Sequence, residues 1–447
     1  MTKESSEHIL LKLSNSLSKN AKTVSDHLIA TKHPQPSFIK GAPVTTIPED
    51  SPDAVKKALE TLMEDAMGIF QLAAGPSHFL LHHMVNVSHH LRPEAGSAND
   101  RGWQYESFIC LQWLSHFNIF LLVPLDGTIS YPRLADLAGV PEWRLKSVLR
   151  MAMTNRLFVE PTPGVVGHSA ASATLAVHPN HKFYRFWASE IIAPSAAAMV
   201  EAHAKGNDAT PFNVAFDTEL PLYQYIGKRP QLMRAFDGIM SQMAASPSTS
   251  PQHLVDGFDW TAIGKGLVFD VGGNLGESCV ALARAFPKLE FVVQDLEHIV
   301  EEGKRNIRSP KYDDVRDRIA FEAHDFFQEQ RPTIASADVY LLRQILHNWD
   351  VENSIRILSK LAKSLRRGAH IIVMDFVMPQ PGSILSTRER LLRYKDLVMM
   401  QLFNSQERDV TDWIAIIAQV QPRLRITGVS QPNGSDFSLL DIVLEED

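Results

Sequence analysis

Three glycines in one short turn are the clearest sign of a binding site in this sequence. The apolar run 267–269 ends at Asp270 and leads into Gly272, Gly273 and Gly276. Glycines in such a turn let the backbone pass close to a ligand. An apolar, Ala-rich segment that is typical of a helix follows them. By themselves, the glycines indicate either a nucleotide site or a tight strand-to-helix turn.

An acid at the end of the next apolar run favours the nucleotide site. Residues 291–293 are apolar and lead to Asp295. An acid at the end of the second strand of such a unit can bind the two hydroxyls of a ribose. No Lys-Ser or Lys-Thr follows the glycines, which disfavours a nucleotide triphosphatase loop. The combination predicts a site for a nucleoside cofactor.

Strands and helices alternate from about Trp260 onward, which predicts an α/β fold with a mostly parallel, doubly wound sheet. The candidate parallel strands are 268–270, 291–294, 319–323, 339–343 and 371–374, and 439–444 is a final strand. Ligands in such sheets bind beyond the carboxyl ends of the strands. Asp325, residues 343–347 and Asp375 follow these ends, so we expect them to lie near the glycines.

Composition bounds the class of protein. The chain has 447 residues, 45% of them hydrophobic, which is enough for two or three domains. Cys110 and Cys279 lie far apart and offer neither a disulfide framework nor metal spacing, so we predict no metal site and a reducing compartment. A formal net charge of −7 disfavours nucleic acid as a partner. The N-terminus lacks a signal-peptide pattern and the apolar run 117–125 is too short to span a bilayer, which favours a cytoplasmic protein.

The N-terminal part is expected to be helical. Apolar residues recur at helical spacing over residues 9–30 and again over residues 52–91, with a Pro-rich loop between them. The stripe within residues 59–72 is amphipathic, which is typical of a core or dimer contact.

Residues 105–180 have the pattern of a winged helix-turn-helix. The predicted elements are a helix over 108–121, a short helix from 131 that ends at Gly139, a helix over 142–154, and a β-hairpin over 157–168 around Pro163 and Gly164. The helix that would enter DNA carries only Arg144, Lys146 and Arg150 as cations. In an acidic chain, this favours a structural or dimerisation role over DNA binding.

Several segments together carry a family resemblance. They are Asp270-Val-Gly-Gly-Asn-Leu-Gly276, Gln294-Asp-Leu296, Ala323-His-Asp-Phe-Phe327, Leu341-Leu-Arg-Gln-Ile-Leu-His-Asn-Trp-Asp350, Asp375-Phe-Val-Met-Pro379 and Asn404-Ser-Gln-Glu-Arg408. The chain resembles the S-adenosylmethionine-dependent O-methyltransferases of the caffeate type, in particular their fungal secondary-metabolism branch. The resemblance is specific over about residues 105–445.

The resemblance implies a division of the chain and a mode of assembly. The implied regions are an N-terminal helical region at 1–104, a winged-helix-like dimerisation domain at 105–180, a helical connection lining the substrate pocket at 181–255, and a Rossmann-like class I methyltransferase domain at 256–447. It further implies an intertwined homodimer that acts on a small-molecule acceptor.

The resemblance also assigns the catalytic group. His347 matches the base that removes the proton from the acceptor hydroxyl, and Asp375 and Glu407 match acids that orient its imidazole. A carboxylate on one ring nitrogen fixes the tautomer and stabilises the imidazolium as it forms. Taken singly, Glu407 could equally be a surface ion-pair partner of Arg408.

The cofactor and acceptor residues follow from the same resemblance. Arg343 matches a basic position near the cofactor carboxylate, although it could instead pair with Asp338 or Asp350. Asn274 and Asn348 depart from the family pattern, in which Gly or Ser and Asp are usual, but neither change removes an essential group. The implied cofactor residues are Asp270, Gly272, Gly273, Gly276, Asp295, Leu296, Asp325, Phe326 and Arg343. The implied acceptor residues are His168, Met399, Met400, Phe403 and Asn404.

Two other functions stay open at the level of sequence. Some members of this family are pericyclases that guide Diels-Alder, Alder-ene or dehydration steps without methyl transfer, and Arg343 and His168 would then act as hydrogen-bond donors. A non-catalytic regulator that binds adenosylmethionine or DNA is the third interpretation. The resemblance favours an aromatic or polyketide acceptor for the methyltransferase.

Overall fold

The computed structural model describes residues 8–87, 98–177, 190–206, 209–330 and 337–445. The chain divides into two compact units. The first unit comprises residues 1–86 and 123–176, and the second comprises residues 87–122 and 177–447. Within the described ranges, every helix is too short or too polar to cross a membrane. The four-region division expected from the sequence stays a prediction.

Two long helices begin the first unit, as the sequence predicts. They are Ile9–Ala30 and Asp53–Val87. The second is broken at Gly75, which has φ 69° and is followed by Pro76. Apolar residues of both helices pack together in a small core that contains Leu28 and Val55. The predicted end of this helical segment, residues 88–91, lies outside the described residues.

A two-stranded sheet with three short helices completes the first unit, and the winged-helix domain expected from the sequence stays a prediction. Strand β1 (Thr128–Ser130) leads into helices Tyr131–Ala138 and Glu142–Thr154 and then into β2 (Val165–Gly167) and helix Ala170–Val177. The first of these helices ends at Gly139 in the left-handed conformation, as expected for a glycine C-cap.

Two sequence predictions in this part of the chain are corrected. The hairpin expected over 157–168 is reduced to one bridge between Val159 and Gly167, because β2 pairs antiparallel with β1 over its whole length. The helix expected over 108–121, in the second unit, is two helices, Ala98–His116 and Ile119–Leu122. Asn118, with φ 56°, lies between them.

A seven-stranded sheet forms the centre of the second unit. Its strands are β3 (Leu267–Val271), β4 (Glu290–Asp295), β5 (Ile319–Ala323), β6 (Val339–Arg343), β7 (His370–Asp375), β8 (Leu424–Ser430) and β9 (Ser438–Leu444). Their order is β5-β4-β3-β6-β7-β9-β8. The five strands β3 to β7 are parallel, whereas β9 is antiparallel to both β7 and β8. All six strands predicted for this sheet are present, and β8 is a seventh that the sequence did not predict.

Helices cover both faces of this sheet. Val268 packs into one apolar cluster with Leu282, whereas Phe269, the next residue of β3, packs into another cluster with Leu358 and Trp413. Consecutive side chains of a strand point to opposite faces, so one short strand contributes to two cores. The α-helices of the second unit after residue 189 are Ile192–Lys205, Pro211–Ala215, Leu222–Gly227, Pro230–Ala245, Gln252–Gly257, Trp260–Ile263, Glu277–Ala285, Glu297–Asn306, Val351–Ser364, Ser386–Phe403 and Val410–Ile417.

Candidate active site

The glycine turn, residues 272–276, follows β3 and is shaped by close backbone approach. Gly272 has φ 71°, and Gly276 has φ 82° and caps the helix Glu277–Ala285. A Cβ at Gly273 would lie 2.5 Å from Asp270 Cγ, which no side chain tolerates. The amides of Gly272 and Gly273 both donate to the carbonyl of Gln294, at 2.8 and 3.2 Å. Glycine is therefore required here by conformation and by space.

Asp270 is a buried acid beneath this turn. Its side chain accepts a hydrogen bond from the Cys279 thiol at 3.4 Å. Burial raises the pKa of Asp270 to about 6, and the Cys279 hydrogen bond and the positive charge of Arg343 partly oppose this rise. Asp270 thus carries less than a full negative charge near pH 6.

Asp295 joins the end of β4 to the glycine turn. Its carboxylate accepts from the amides of Asn274, at 2.9 Å, and Leu296, at 2.7 Å. Burial raises the pKa of Asp295, although these two amides act in the opposite direction. Asn274 adopts φ 51°, a conformation that Asn tolerates better than most residues. The side chain of Leu296, beside this acid, is exposed.

The loop after β5 brings an aromatic ring to the glycine turn. A Cβ on Gly272 would lie 3.7 Å from Phe326 Cε1, so the two residues are neighbours. Phe326 also meets Trp349 edge to face, with ring centroids 5.8 Å apart. Asp325 accepts from the amide of Phe327 at 3.0 Å and leaves its carboxylate exposed. An apolar ring face and an acceptor thus lie side by side.

Arg343, at the end of β6, is half-buried near three acids. Its Nη2 donates to the carbonyl of Thr249 at 2.5 Å, and its guanidinium lies 5.5 Å from the ring centroid of Phe437. Burial lowers the pKa of Arg343, against the charges of Asp270, Glu277 and Asp375. Its Nε has no hydrogen-bond partner among the described residues.

Asp338 and Asp350, the two possible ion-pair partners of Arg343 in the sequence, both bind other groups. Asp338 accepts from the amide of Leu267 and pairs with Arg366. Asp350 caps the helix Val351–Ser364 by accepting from the Asn353 amide at 2.7 Å. Neither acid pairs with Arg343.

His347 lies on a single 3-10 turn, Leu346–Asn348, that follows β6. Its Nδ1 lies 2.9 Å from Glu407 Oε1, and the side chain of Glu407 is 1% exposed. This buried bond places the Nδ1 proton towards Glu407 and leaves Nε2 as the basic nitrogen. Within the described chain, Nε2 makes no hydrogen bond. Glu407 is therefore a buried partner of His347, and the alternative of a surface pair with Arg408 is wrong.

The charges around His347 set its basicity. Burial alone lowers the pKa of His347, but the negative charges of Glu407 and Asp375 outweigh burial and raise the net pKa to about 9. A free imidazole titrates near neutrality, so these acids make His347 a stronger base.

Asp375 ends β7 and is fully buried. Neither of its carboxylate oxygens makes a hydrogen bond of ordinary geometry to the described residues. Burial raises the pKa of Asp375 to about 7, while the charge of His347 lowers it and that of Glu407 raises it. Asp375 therefore acts on His347 through its charge, whereas Glu407 also holds the ring.

Ser405 and Arg408 hold the His347 turn in place, a role that the sequence did not predict for either residue. Ser405 Oγ lies 2.7 Å from the carbonyl of His347 and 2.8 Å from that of Trp349. Arg408, which is 1% exposed, donates to the carbonyls of Leu346 and Trp349. Both residues lie in the segment 404–408, which carries part of the family resemblance. That resemblance is the one feature of the sequence that could have pointed to them.

The predicted acceptor residues of the second unit lie on one helix. Met399, Met400 and Phe403 are half-buried on Ser386–Phe403, and Asn404 ends this helix in the left-handed conformation. The ring of Phe403 lies 5.6 Å from that of Tyr223.

His168 belongs to the first unit, where both of its ring nitrogens have partners. Nδ1 lies 2.9 Å from Ser172 Oγ, and Nε2 lies 3.1 Å from the carbonyl of Val123. Its ring also packs on Phe158 at 5.1 Å. These bonds give His168 a structural role in its own unit, and its role towards an acceptor stays a prediction.

Comparison with known proteins decides the family. A family model for the O-methyltransferase domain matches residues 197–420. The O-methyltransferase bik3 of Gibberella fujikuroi is 45% identical over 433 residues, which cover 96% of this chain and 91% of the relative. The chain belongs to the O-methyltransferase family. Another fungal member, O-methyltransferase aoiF of Aspergillus oryzae, is 42% identical and covers 96% of this chain and 98% of its own.

Solved structures share the fold of this O-methyltransferase. NcsB1, an O-methyltransferase from neocarzinostatin biosynthesis solved with S-adenosyl-L-homocysteine and 1,4-dihydroxy-2-naphthoic acid, superposes with a TM-score of 0.63 at 22% identity. That match covers 78% of this chain and all of NcsB1. OxaC, solved with sinefungin and meleagrin, has the same TM-score at 17% identity and covers 96% of this chain and 99% of its own.

Membership of the family confirms the coarse predictions from the sequence. These are the class I methyltransferase fold, S-adenosylmethionine as the cofactor of the family, and O-methyl transfer in fungal secondary metabolism. The acceptor, the homodimer and the roles of single residues stay predictions. Among the described residues, no cluster of three or more His, Cys, Asp or Glu is placed to hold a metal ion.

Proposed function

We propose that this protein transfers a methyl group from S-adenosylmethionine to a hydroxyl of an aromatic or polyketide-type secondary metabolite, with His347 as the general base. The observation that carries the proposal is the buried bond between His347 Nδ1 and Glu407, which leaves Nε2 as the basic atom. Histidine bonded to a carboxylate is the usual arrangement of a base that must accept and return a proton.

The carboxyl end of the sheet fits the cofactor. The glycine turn excludes side chains at Gly272 and Gly273 and so offers backbone to the methionine part. Asp295 suits the ribose hydroxyls, and Asp325 with Phe326 offers adenine an acceptor and an apolar face. Arg343, whose Nε lacks a partner within the described ranges, suits a carboxylate.

The residues of the chain supply positioning and proton transfer. When bound, S-adenosylmethionine supplies a methyl group on a positively charged sulfur, which makes the methyl carbon electrophilic and favours loss of a proton from a neighbouring imidazolium. His347 Nε2 accepts the proton of the acceptor hydroxyl as the oxygen gains the methyl group. Glu407 stabilises the imidazolium that results, and Asp375 adds a second negative charge nearby.

The acceptor class rests on two supports. Met399, Met400 and Phe403 form a half-buried apolar stretch on the helix that leads to Glu407, which suits a ring system. Relatives include O-methyltransferases of Gibberella and Aspergillus, and the fold neighbour NcsB1 was solved with a hydroxynaphthoic acid.

The test is a panel of phenolic and enolic polyketide acceptors incubated with the purified protein and methyl-labelled S-adenosylmethionine. We expect label on a hydroxyl oxygen of at least one acceptor. Transfer to none of them, together with faster cyclisation of a quinone methide or a polyene, would overturn the proposal in favour of the pericyclase.

A further inference from the structure

The last two residues of β4 hold the glycine turn. The carbonyl of Gln294 accepts from the amides of Gly272 and Gly273, at 2.8 and 3.2 Å. The carboxylate of Asp295 accepts from the next amide, that of Asn274, at 2.9 Å. Three successive amides of the turn are thus fixed by two adjacent residues of the neighbouring strand.

The same two residues hold the loop after β5, on the opposite side of β4. At the start of this loop, the amide of His324 donates to the carbonyl of Asp295 at 2.9 Å. Six residues further along, the side chains of Gln294 and Gln330 form a reciprocal amide pair, with each Nε2 donating to the other Oε1 at 2.9 and 3.0 Å. The segment between these anchors contains Asp325 and Phe326.

We propose that Gln294 and Gln330 are positioning residues that set the selectivity of the cofactor site for adenine. This inference rests on the proposed function, in which Asp325 and Phe326 face the base. The amide pair fixes the segment that follows Asp325 and Phe326 to the strand that carries the ribose acid. The distance from ribose to base is thereby held constant, and the carboxylate of Asp325 meets the adenine amino group. Hypoxanthine presents a carbonyl at that position, which a carboxylate repels.

A reciprocal amide pair has a chemical requirement that an ordinary packing contact lacks. Each partner must offer one donor and one acceptor. Gln330→Glu replaces a donor by an acceptor when the carboxylate is ionised, which leaves two oxygens facing each other. A protonated carboxylic acid again offers one donor and one acceptor and restores the pair. The effect of this substitution is therefore expected to reverse with pH.

The chain offers a matched control two residues away. Gln328 lies in the same loop and is exposed. Gln328→Glu adds the same charge to the same loop without touching the amide pair. Gln330 is only half-buried, whereas Gln294 is 1% exposed, so substitution at 330 avoids opening the core.

The experiment measures the dissociation constants of S-adenosylhomocysteine and of its hypoxanthine analogue, S-inosylhomocysteine, by calorimetry. The wild-type protein, Gln330→Glu and Gln328→Glu are compared at about pH 8 and about pH 5, because the Gln294 amide oxygen that faces the new carboxylate is expected to raise its pKa above about 5. Thermal unfolding of each variant checks that the protein is folded.

At the higher pH we expect Gln330→Glu to bind S-adenosylhomocysteine about tenfold more weakly, with a much smaller change for the hypoxanthine analogue. At the lower pH most of this loss should disappear, and Gln328→Glu should match the wild type throughout. An unchanged ratio of the two affinities in Gln330→Glu, or an equal loss in Gln328→Glu, overturns the inference while leaving the proposed function in place. A wild-type protein without affinity for S-adenosylhomocysteine overturns both.

Discussion

At the scale of single residues, the reactivity of His347 is set by the acids around it. Glu407 both bonds to Nδ1 and, with Asp375, raises the pKa of the imidazole to about 9. The base must be neutral to accept a proton. The value of kcat/KM should therefore rise with pH up to this range. This rising limb of the pH profile reports the coupled titration of His347, Glu407 and Asp375 rather than of one residue.

Replacement of Glu407 by glutamine should move that limb. The amide side chain of Glu407→Gln keeps an acceptor near Nδ1 but removes the charge, so the pKa of His347 falls and the rising limb of kcat/KM shifts to lower pH. The plateau should fall by on the order of 10- to 100-fold, because the imidazolium loses its counter-charge. A pH profile of kcat/KM measures both effects. Glu352→Gln, at an exposed position, is the control, and an unmoved limb in Glu407→Gln would show that Glu407 does not tune the base.

The sequence predicted some residues of the site better than others. Gly272 directly follows β3, and Asp295 and Asp375 end β4 and β7, so the topology of a parallel sheet brings them together. The partners of Arg343 and Glu407 were ambiguous, because a charge in a sequence does not reveal whether it will be buried. The roles of Ser405 and Arg408 were missed because they act on backbone carbonyls, which carry no signature in sequence.

At the scale of elements, two turns carry the site. The glycine turn is tight because side chains are excluded from it. Gly273→Ala should abolish most cofactor binding, since its Cβ would lie 2.5 Å from Asp270 Cγ at the end of a buried strand. We expect the dissociation constant of S-adenosylhomocysteine to rise by at least about 30-fold.

The matched control for this substitution is Gly428→Ala in β8. A Cβ there meets no atom within 4 Å, so affinity should not change. Normal cofactor affinity in Gly273→Ala would contradict the role of this turn.

The turn that bears His347 depends on a hydroxyl from another segment. Ser405→Ala removes the single hydroxyl donor that lies 2.7 and 2.8 Å from the carbonyls of His347 and Trp349. We expect kcat to fall about tenfold while the affinity for S-adenosylhomocysteine is unchanged, because the base loses its position and the cofactor site does not. Steady-state kinetics with calorimetry separate the two. The control Ser383→Ala removes a similar bond, from an exposed serine to the Gln380 carbonyl, and should leave kcat unaltered.

Periodicity predicted the elements well where burial was strong. Strands β6 and β7 are buried apolar runs that end at Arg343 and Asp375, and β3 is a buried apolar run interrupted only by Asp270. Strand β8 was missed because most of its residues are exposed, so it carries little apolar signal. The hairpin over 157–168 was wrong in extent, because the partner of β2 proved to be β1, about 35 residues earlier in the chain.

At the scale of the whole molecule, we expect a homodimer. The helix Asp53–Val87 exposes an apolar stripe of Met63, Met67 and Phe70 at helical spacing. Such a stripe usually covers a partner surface. Sedimentation at micromolar concentration should give about twice the 50.0 kDa of one chain. Met63→Glu with Met67→Glu should shift the equilibrium towards the monomer, and a wild-type protein that sediments at 50.0 kDa would contradict the expectation.

The acceptor is the property of the molecule that sequence predicts least. Cofactor chemistry is fixed by a few residues at strand ends, and these are recognisable by order and spacing. The shape of an acceptor pocket depends on apolar side chains such as Met399 and Phe403, which have the same helical spacing as ordinary core residues. The sequence therefore predicts an aromatic or polyketide acceptor and no finer chemical identity.

If His347 removes the proton of the acceptor, the effect of losing His347 must depend on the acidity of that acceptor. Methyl-transfer rates of the wild type and of His347→Ala are compared at one pH for two related phenols, one un-ionised and one already ionised in solution. We predict that His347→Ala loses on the order of 10²- to 10⁴-fold with the un-ionised phenol and less than about tenfold with the ionised one, which needs no base. An equal loss with both phenols, or no loss with either, would contradict the account.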